Sequence, residues 1–524
     1  MINLSLSFSP TNSDYVSKFI KNLKSDCATG PDLIPAFFIK LAEPIITPHI
    51  TNILNSCIQQ QFFPDNWKLS RISPVPKINN PSSLDDYRPI SILPVLSKIF
   101  EKVLATQILS HIDNNNIYPP TLSGCRKGHS TITSLHLIRD TCIRAMKSSE
   151  LTILTLIDFS KAFDTLNYNK LLALLSDLNF SSSSIKLISS YLTNRKQFIS
   201  FSNQQSDILK ISSGVPQGSI LGPILFNIYI SSINIKSSSS SNTVTNYVDD
   251  FQVAASCKPS NLHTSSNQIK NTLHTIKNLA SDLDLQFNFT KTKYLLISTK
   301  QLSKYHNLQI ALPSMQINSN SIYRTNSHKN LGVHFDQHLE FNNHHIQSLK
   351  SAYATLNSLH SLKYLLPTKS KLILIDSLIF SKATYANTIT FPNISKSWLL
   401  KYHRLFKCCL SFAYNTYINT SSLPNFKVLN FVSRYKYNLL SLAYKSLYFS
   451  DSPEYLRLQL YIPSRIGLRS ATGPSIQDCS TPNNTFQNLA ATAFNNLPPD
   501  LRTCNNLSSF KTRLKNFLLR TQYS

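Results

Sequence analysis

The sequence predicts an α+β fold organised around an antiparallel sheet with an acidic edge, and three observations lead there. Two runs of strand-type residues deliver carboxylates: Leu154-Thr155-Leu156-Ile157 ends on Asp158, and Val244 to Val253 encloses the adjacent pair Asp249-Asp250. Helical apolar spacing dominates before and after them, as in Val16, Phe19, Ile20 and Leu23. Glycine is scarce: nine occur in 524 residues, where average usage would place roughly 37. A chain that has shed glycine keeps it where φ > 0 or close backbone approach demands it.

Adjacent aspartates in an apolar strand pattern make no sense as core, because burying unpaired carboxylates costs several kcal/mol each. At the tip of a β-hairpin they make sense as ligands. Asp158, brought to the same point by a second strand, completes the oxygen cluster that Mg²⁺ requires, with places left for phosphates and water.

The elements follow in order. Helices flank the turn Thr29-Gly30-Pro31-Asp32, and a basic, proline-punctuated strand spans Trp67 to Lys77. Tyr87-Arg88-Pro89-Ile90-Ser91 leads to a helix from Leu96 to His111, and the loop Ser123 to Thr131 to a helix ending near Met146. Leu151 to Ile157 is a buried strand and Tyr168 to Leu178 a helix. The loop Ile211 to Ser219 enters the apolar helix Leu221 to Ile230, and Ser237 to Ser241 is a solvated linker. After the acidic hairpin come a helix near Ile269 to Leu283, a strand at Tyr294 to Ile297, and a short strand at Asn330 to Phe335. From His344 onward the pattern is helical and basic.

The formal net charge is +26, from 52 Lys and Arg against 26 Asp and Glu, which points to a polyanionic partner, nucleic acid above all. The nine cysteines form no CxxC pair, so neither a zinc ribbon nor a disulfide framework is supported; His403 with Cys408 and Cys409 is a weaker metal candidate than ordinary thiols. No apolar run is long enough to span a bilayer, so no membrane partner is expected. An intracellular protein is expected.

The motifs resemble those of reverse transcriptases, specifically the LINE-type (non-LTR) retrotransposon family. They are Arg88-Pro89-Ile90-Ser91, Gly124 to Thr131, Asp158-Phe159-Ser160-Lys161-Ala162-Phe163-Asp164, Gly214 to Pro223, Tyr247 to Asp250, Lys291-Thr292-Lys293 and Asn330-Leu331-Gly332-Val333. Seven of the nine glycines fall in these motifs or in the Gly30 turn. The tail, with Phe494 to Pro499 and Phe510 to Lys515, resembles the ends of jockey-like polymerases. Cys125, Asn167 and Phe494 depart from the family's usual Phe, His and Trp.

The resemblance implies a right-hand polymerase of fingers, palm and thumb with an antiparallel palm sheet, followed by a basic, mainly helical C-terminal region. Expected divisions are 1–150 (N-terminal extension and fingers), 151–340 (palm, the whole reverse transcriptase domain being about 68–340), 341–400 (thumb) and 401–524, which holds 15 Lys and Arg against 4 Asp and Glu. Asp158 and Asp249 would bridge two Mg²⁺ ions, with Mn²⁺ as a substitute. Phe159 would add its backbone carbonyl, and Asp250 would bind more loosely. Lys77 and Arg88 would grip the triphosphate of a dNTP, and Gln217 and Gly218 would touch nucleotide and template. Phe163 is a steric gate against the 2′-hydroxyl or a packed core aromatic, and Lys291 a proton donor to pyrophosphate or a solvated lysine. Asp164 is expected to be structural.

The implied activity is RNA-directed DNA synthesis on an RNA template from a DNA primer or nicked target. The chain is expected to be the polymerase part of a larger element, with the endonuclease supplied by an upstream region or in trans. An inactive remnant that only binds RNA, and a group II intron maturase-like polymerase, are the alternatives.

Overall fold

The computed structural model describes residues 5–201, 204–237, 242–308, 311–460, 474–476 and 482–523. It is an α+β structure whose sheets are mainly antiparallel. Most of the linker expected at 237–241 lies outside the described residues. Chain contacts divide into two units: Met1–Cys125 with Asp158–Ser238 and Thr272–Asn288, and Arg126–Ile157 with Ser239–Asn271 and Phe289–Ser524. Among the described residues no helix is long and apolar enough to cross a membrane.

In the first unit, the strand Leu69–Pro76 pairs antiparallel with Tyr87–Ile92 and parallel with Lys196–Phe201. Helices Glu43–Gln60, Val95–Asn114, Tyr168–Asp177 and Ser182–Leu192 belong to this unit. So does Leu221–Ser237, which is apolar nearly all round and accordingly buried. Its N-terminus is fixed from a distance: the fully buried Glu101 accepts the amides of Ile220 (2.7 Å) and Leu221 (3.1 Å). Burial pushes the Glu101 carboxyl up, while the Arg195 charge and these amides pull it back.

In the second unit a four-stranded antiparallel sheet runs in the order Lys293–Ile297, Leu151–Ile157, Asp250–Cys257, Thr243–Tyr247. All seven residues of Leu151–Ile157 are buried, as a continuous Leu/Ile/Thr run at the centre of a sheet requires. Helix Thr131–Lys147 packs on it through Leu135, Ile138 and Cys142, which share a core with Leu154, Leu156 and Leu295.

Asn330 to Phe335 is a hairpin rather than the single strand expected. Ser327–Asn330 pairs with Val333–Asp336 around Leu331-Gly332, both at positive φ. Two positive φ angles at a two-residue loop twist the strands back on each other.

The boundary expected at 400 does not separate two cores. Residue 400 lies inside helix Lys396–Tyr414, and one apolar cluster takes in Leu349, Ile379, Phe406 and Phe431. A further cluster joins helices Phe431–Tyr448, Phe486–Asn495 and Leu507–Thr521. The tail is also tied to the helix beneath the sheet. Asp140 accepts the Phe486 amide at 2.9 Å, and Arg139 donates to the Asn484 carbonyl at 2.7 Å. Arg139 and Asp140 form a buried ion pair at 3.2 Å. Region 401–524 is therefore built into the unit that carries the sheet.

Candidate active site

The acidic hairpin has a two-residue tip. Tyr247 pairs with Asp250, leaving Val248-Asp249 as the loop. Val248 adopts φ +58, a region β-branched residues avoid, and its carbonyl accepts from the buried Asn246 Nδ2 at 3.0 Å. Asp250 is exposed at the tip and Asp249 half-buried.

Sheet register in the second unit fixes where the neighbouring strands end. Ile157, the last residue of its strand, lies opposite Phe251, and Asp158 follows it by one peptide bond. On the other flank Lys293 lies opposite Leu156, and the exposed Lys291 precedes it in a turn. Among the described residues, no three His, Cys, Asp or Glu side chains stand close enough together to make a finished metal cluster. The donors at this edge are nonetheless all oxygens, the chemistry that suits Mg²⁺.

Within the first unit, Phe159 is buried in the short strand Phe159–Ser160, paired with Gln286–Phe287, and the Asp158 carbonyl accepts the Asn288 amide at 2.9 Å. Phe163 is half-buried and stacks on the buried Phe226, ring centroids 4.2 Å apart. The Val215 amide donates to the Phe163 carbonyl (3.0 Å), and the Gly214 amide to the Leu166 carbonyl (2.8 Å). Gln217 Nε2 donates to Asp164 Oδ1 at 3.0 Å, while its carbonyl accepts the Ser91 amide at 2.7 Å. Asp164 is thus the residue that holds Gln217, a role its sequence position did not disclose.

Gly218, expected to admit a base or sugar, has a nearer reason for lacking a side chain. A Cβ there would come within 2.6 Å of the Ser91 carbonyl, at a backbone φ of +125. The loop is wedged against the strand that carries Arg88.

Arg88 is exposed, opposite Val75, and makes no hydrogen bond or ion pair among the described residues. Lys77, by contrast, closes its own loop: its Nζ donates to the Asp85 carbonyl at 2.7 Å. The Asp85 carboxylate meets Lys161 at 3.0 Å, an exposed pair of the kind that contributes little. Sequence reasoning missed Glu101 and Asn246. Buried polar residues in apolar elements were the available signal.

Residues 75–335 match the family described as reverse transcriptase (RNA-dependent DNA polymerase), and the chain carries a domain of that family. Individual relatives come from mobile elements of Drosophila melanogaster. The chain is 26% identical to a probable RNA-directed DNA polymerase from transposon X-element, over 74% of this chain and 41% of that protein. It is 26% identical to the RNA-directed DNA polymerase from mobile element jockey, over 71% and 40%. A third, a probable RNA-directed DNA polymerase from transposon BS, is 29% identical over 44% and 25%. The chain thus spans about two fifths of the length of the first two.

Proposed function

We propose that this chain is an RNA-directed DNA polymerase of a non-LTR retrotransposon, extending a DNA primer on an RNA template. The observation that carries this reading is the Tyr247–Asp250 hairpin tip at the sheet edge where Leu151–Ile157 runs into Asp158, within a reverse transcriptase domain. In right-hand terms residues 1–150 are fingers, 151–340 palm and 341–400 thumb, and 401–524 supply cationic contacts to nucleic acid.

Asp158 and Asp249 would hold the two divalent ions, Asp250 would bind more loosely, and the Phe159 carbonyl would be a further donor. When bound, Mg²⁺ lowers the pKa of the primer 3′-hydroxyl and neutralises triphosphate and leaving pyrophosphate. Arg88 presents a fork to phosphate oxygens. Gln217, steadied by Asp164, orients the nucleotide, and Lys291 supplies a proton to pyrophosphate. Nicked target DNA, and an endonuclease from the same element or in trans, complete the set of partners, and the nucleus is the place of action.

Primer extension on a homopolymer RNA template with Mg²⁺ tests the reading. Asp249→Asn and Asp158→Asn should each abolish dNTP incorporation while template–primer binding survives. Wild-type turnover by either variant refutes the assignment. Binding without extension by the wild-type chain would identify an RNA-binding remnant.

A further inference from the structure

The C-terminal helices hold a buried cation that has no carboxylate partner among the described residues. Arg502 ends the short helix Pro499–Arg502 and is 7% exposed. Its Nη1 donates to the Pro474 carbonyl at 3.0 Å, and its Nε is buried with no partner. Among the described residues no carboxylate stands within ion-pair distance of it. A buried guanidinium with one neutral acceptor is unfavourable unless an anion joins it.

The side chain lines a cavity of about 510 Å³ that is also walled by Tyr448, Phe449, Asn505, Asn506 and Leu507. Helix Leu507–Thr521 starts at that wall. Asn506 caps it by accepting the Ser509 amide at 2.8 Å, leaving the amides of Leu507 and Ser508 without helix partners. The start of a helix favours negative charge, so two independent features at this cavity favour an anion. Tyr448 is 45% and Phe449 39% exposed, which leaves ring surface for a planar ligand. Lys445, on the same helix as Tyr448, has its pKa lowered by partial burial and by the charge of Lys511 on the facing helix. Two lysines near one another reinforce the positive field.

We propose that this cavity binds a phosphodiester of single-stranded nucleic acid, with Arg502 and the helix start on the phosphate and an adjoining base stacked on Tyr448 or Phe449. Every base has a π-face and every nucleotide a phosphate, so the site grips a strand without reading its sequence. The proposal rests on nucleic acid being this chain's partner, as in the proposed function, but needs no polymerase chemistry.

The test uses the full chain and fluorescence anisotropy with a short labelled oligouridylate and the matching oligodeoxythymidylate, across a salt series. Arg502→Gln should weaken binding about tenfold, the loss of one charged hydrogen-bonding contact. It should also flatten the slope of log K against log salt by about 0.7, one single-strand phosphate. Phe449→Ala should weaken binding about fivefold or more with the slope unchanged, because stacking is not ionic. If Arg502→Gln melts early, Lys511→Ala supplies the charge arm. A preference for RNA names the template as the source of the phosphate, and a preference for DNA names the primer or target strand. Wild-type affinity and slope in the folded charge variant and in Phe449→Ala overturn the proposal, as does inorganic phosphate alone filling the cavity while oligonucleotide binding is unmoved. Primer extension by wild-type protein, run in parallel, reports on the polymerase reading separately.

Discussion

Val248 occupies a backbone conformation that costs a β-branched residue about 1–3 kcal/mol, and Asn246 holds it there through one side-chain hydrogen bond. Strain kept in place beside two aspartates fixes where their carboxylates emerge. Asn246→Ala should lower stability by about 1–3 kcal/mol, because the Val248 carbonyl loses its donor, and should reduce extension more than template binding. Urea melts and single-turnover extension check both; an unaltered melt would mean that the turn holds itself. Phe163 is placed by its stack on Phe226, which would hold the proposed gate in position. Phe163→Val should lower the dNTP/rNTP ratio of kcat/KM, and an unchanged ratio would make the ring mere packing. The strand that runs into Asp158 and the hairpin that carries Asp249 and Asp250 were legible in the sequence because a carboxylate in an apolar strand has no structural excuse. Glu101 was passed over because its partners, the amides of Ile220 and Leu221, lie about 120 residues further along the chain.

At the scale of elements, the Asn330–Val333 turn shows how a short motif earns its glycine. Gly332 sits at φ +86, and a Cβ there would approach the Tyr385 ring at 2.9 Å. Tyr385 in turn donates its hydroxyl to the Leu331 carbonyl at 2.7 Å, and Asn330 donates to Gln252 on the acidic strand at 3.1 Å. Gly332→Ala should cost about 1–3 kcal/mol from backbone strain, with further loss from the clash. Thermal melting checks this, and a neutral result would show that the turn relaxes freely. Most long strands and helices were predicted near their observed bounds because their periodicity is strong, but Leu221–Ser237 runs seven residues past its expected end and Leu262–Asp282 starts seven residues before its expected beginning. The hairpin was not predicted, since four-residue strands are too short to display alternation.

For the whole molecule, the contrast lies in the C-terminal region. Its composition suggests a detachable basic arm, but Asp140, Arg139 and Phe486 join it to the core beneath the sheet. Such long-range pairing leaves no local trace, so the joining of the tail to the sheet's unit was not legible. Deleting 401–524 should therefore abolish soluble folding of the second unit, because it removes one of its apolar clusters entirely and much of another. Truncated protein with a native melt would restore the idea of an appendage. The same unit should be acid-labile. Burial holds His136 well below its usual range and lowers His344 and His345 to about 4, so all three fold as neutral rings. Their unfolded pKa is about 6.5. A lowered histidine pKa contributes stability that is complete above pH 6.5 and is lost as pH falls toward 4. Tm should decline across that window, and a flat profile would mean that these rings are charged in the folded protein.

The union of tail and sheet also bears on how such genes decay. A stop codon shortly before Phe486 would spare all of residues 75–335, and by inspection of that domain alone the gene would look intact. The protein it encodes would lack the amide that Asp140 accepts and two of the helices that close the final core. Copies of this gene shortened at their far end should thus be inherited as silent passengers, and their loss of function would be invisible to any survey that stops at the last motif.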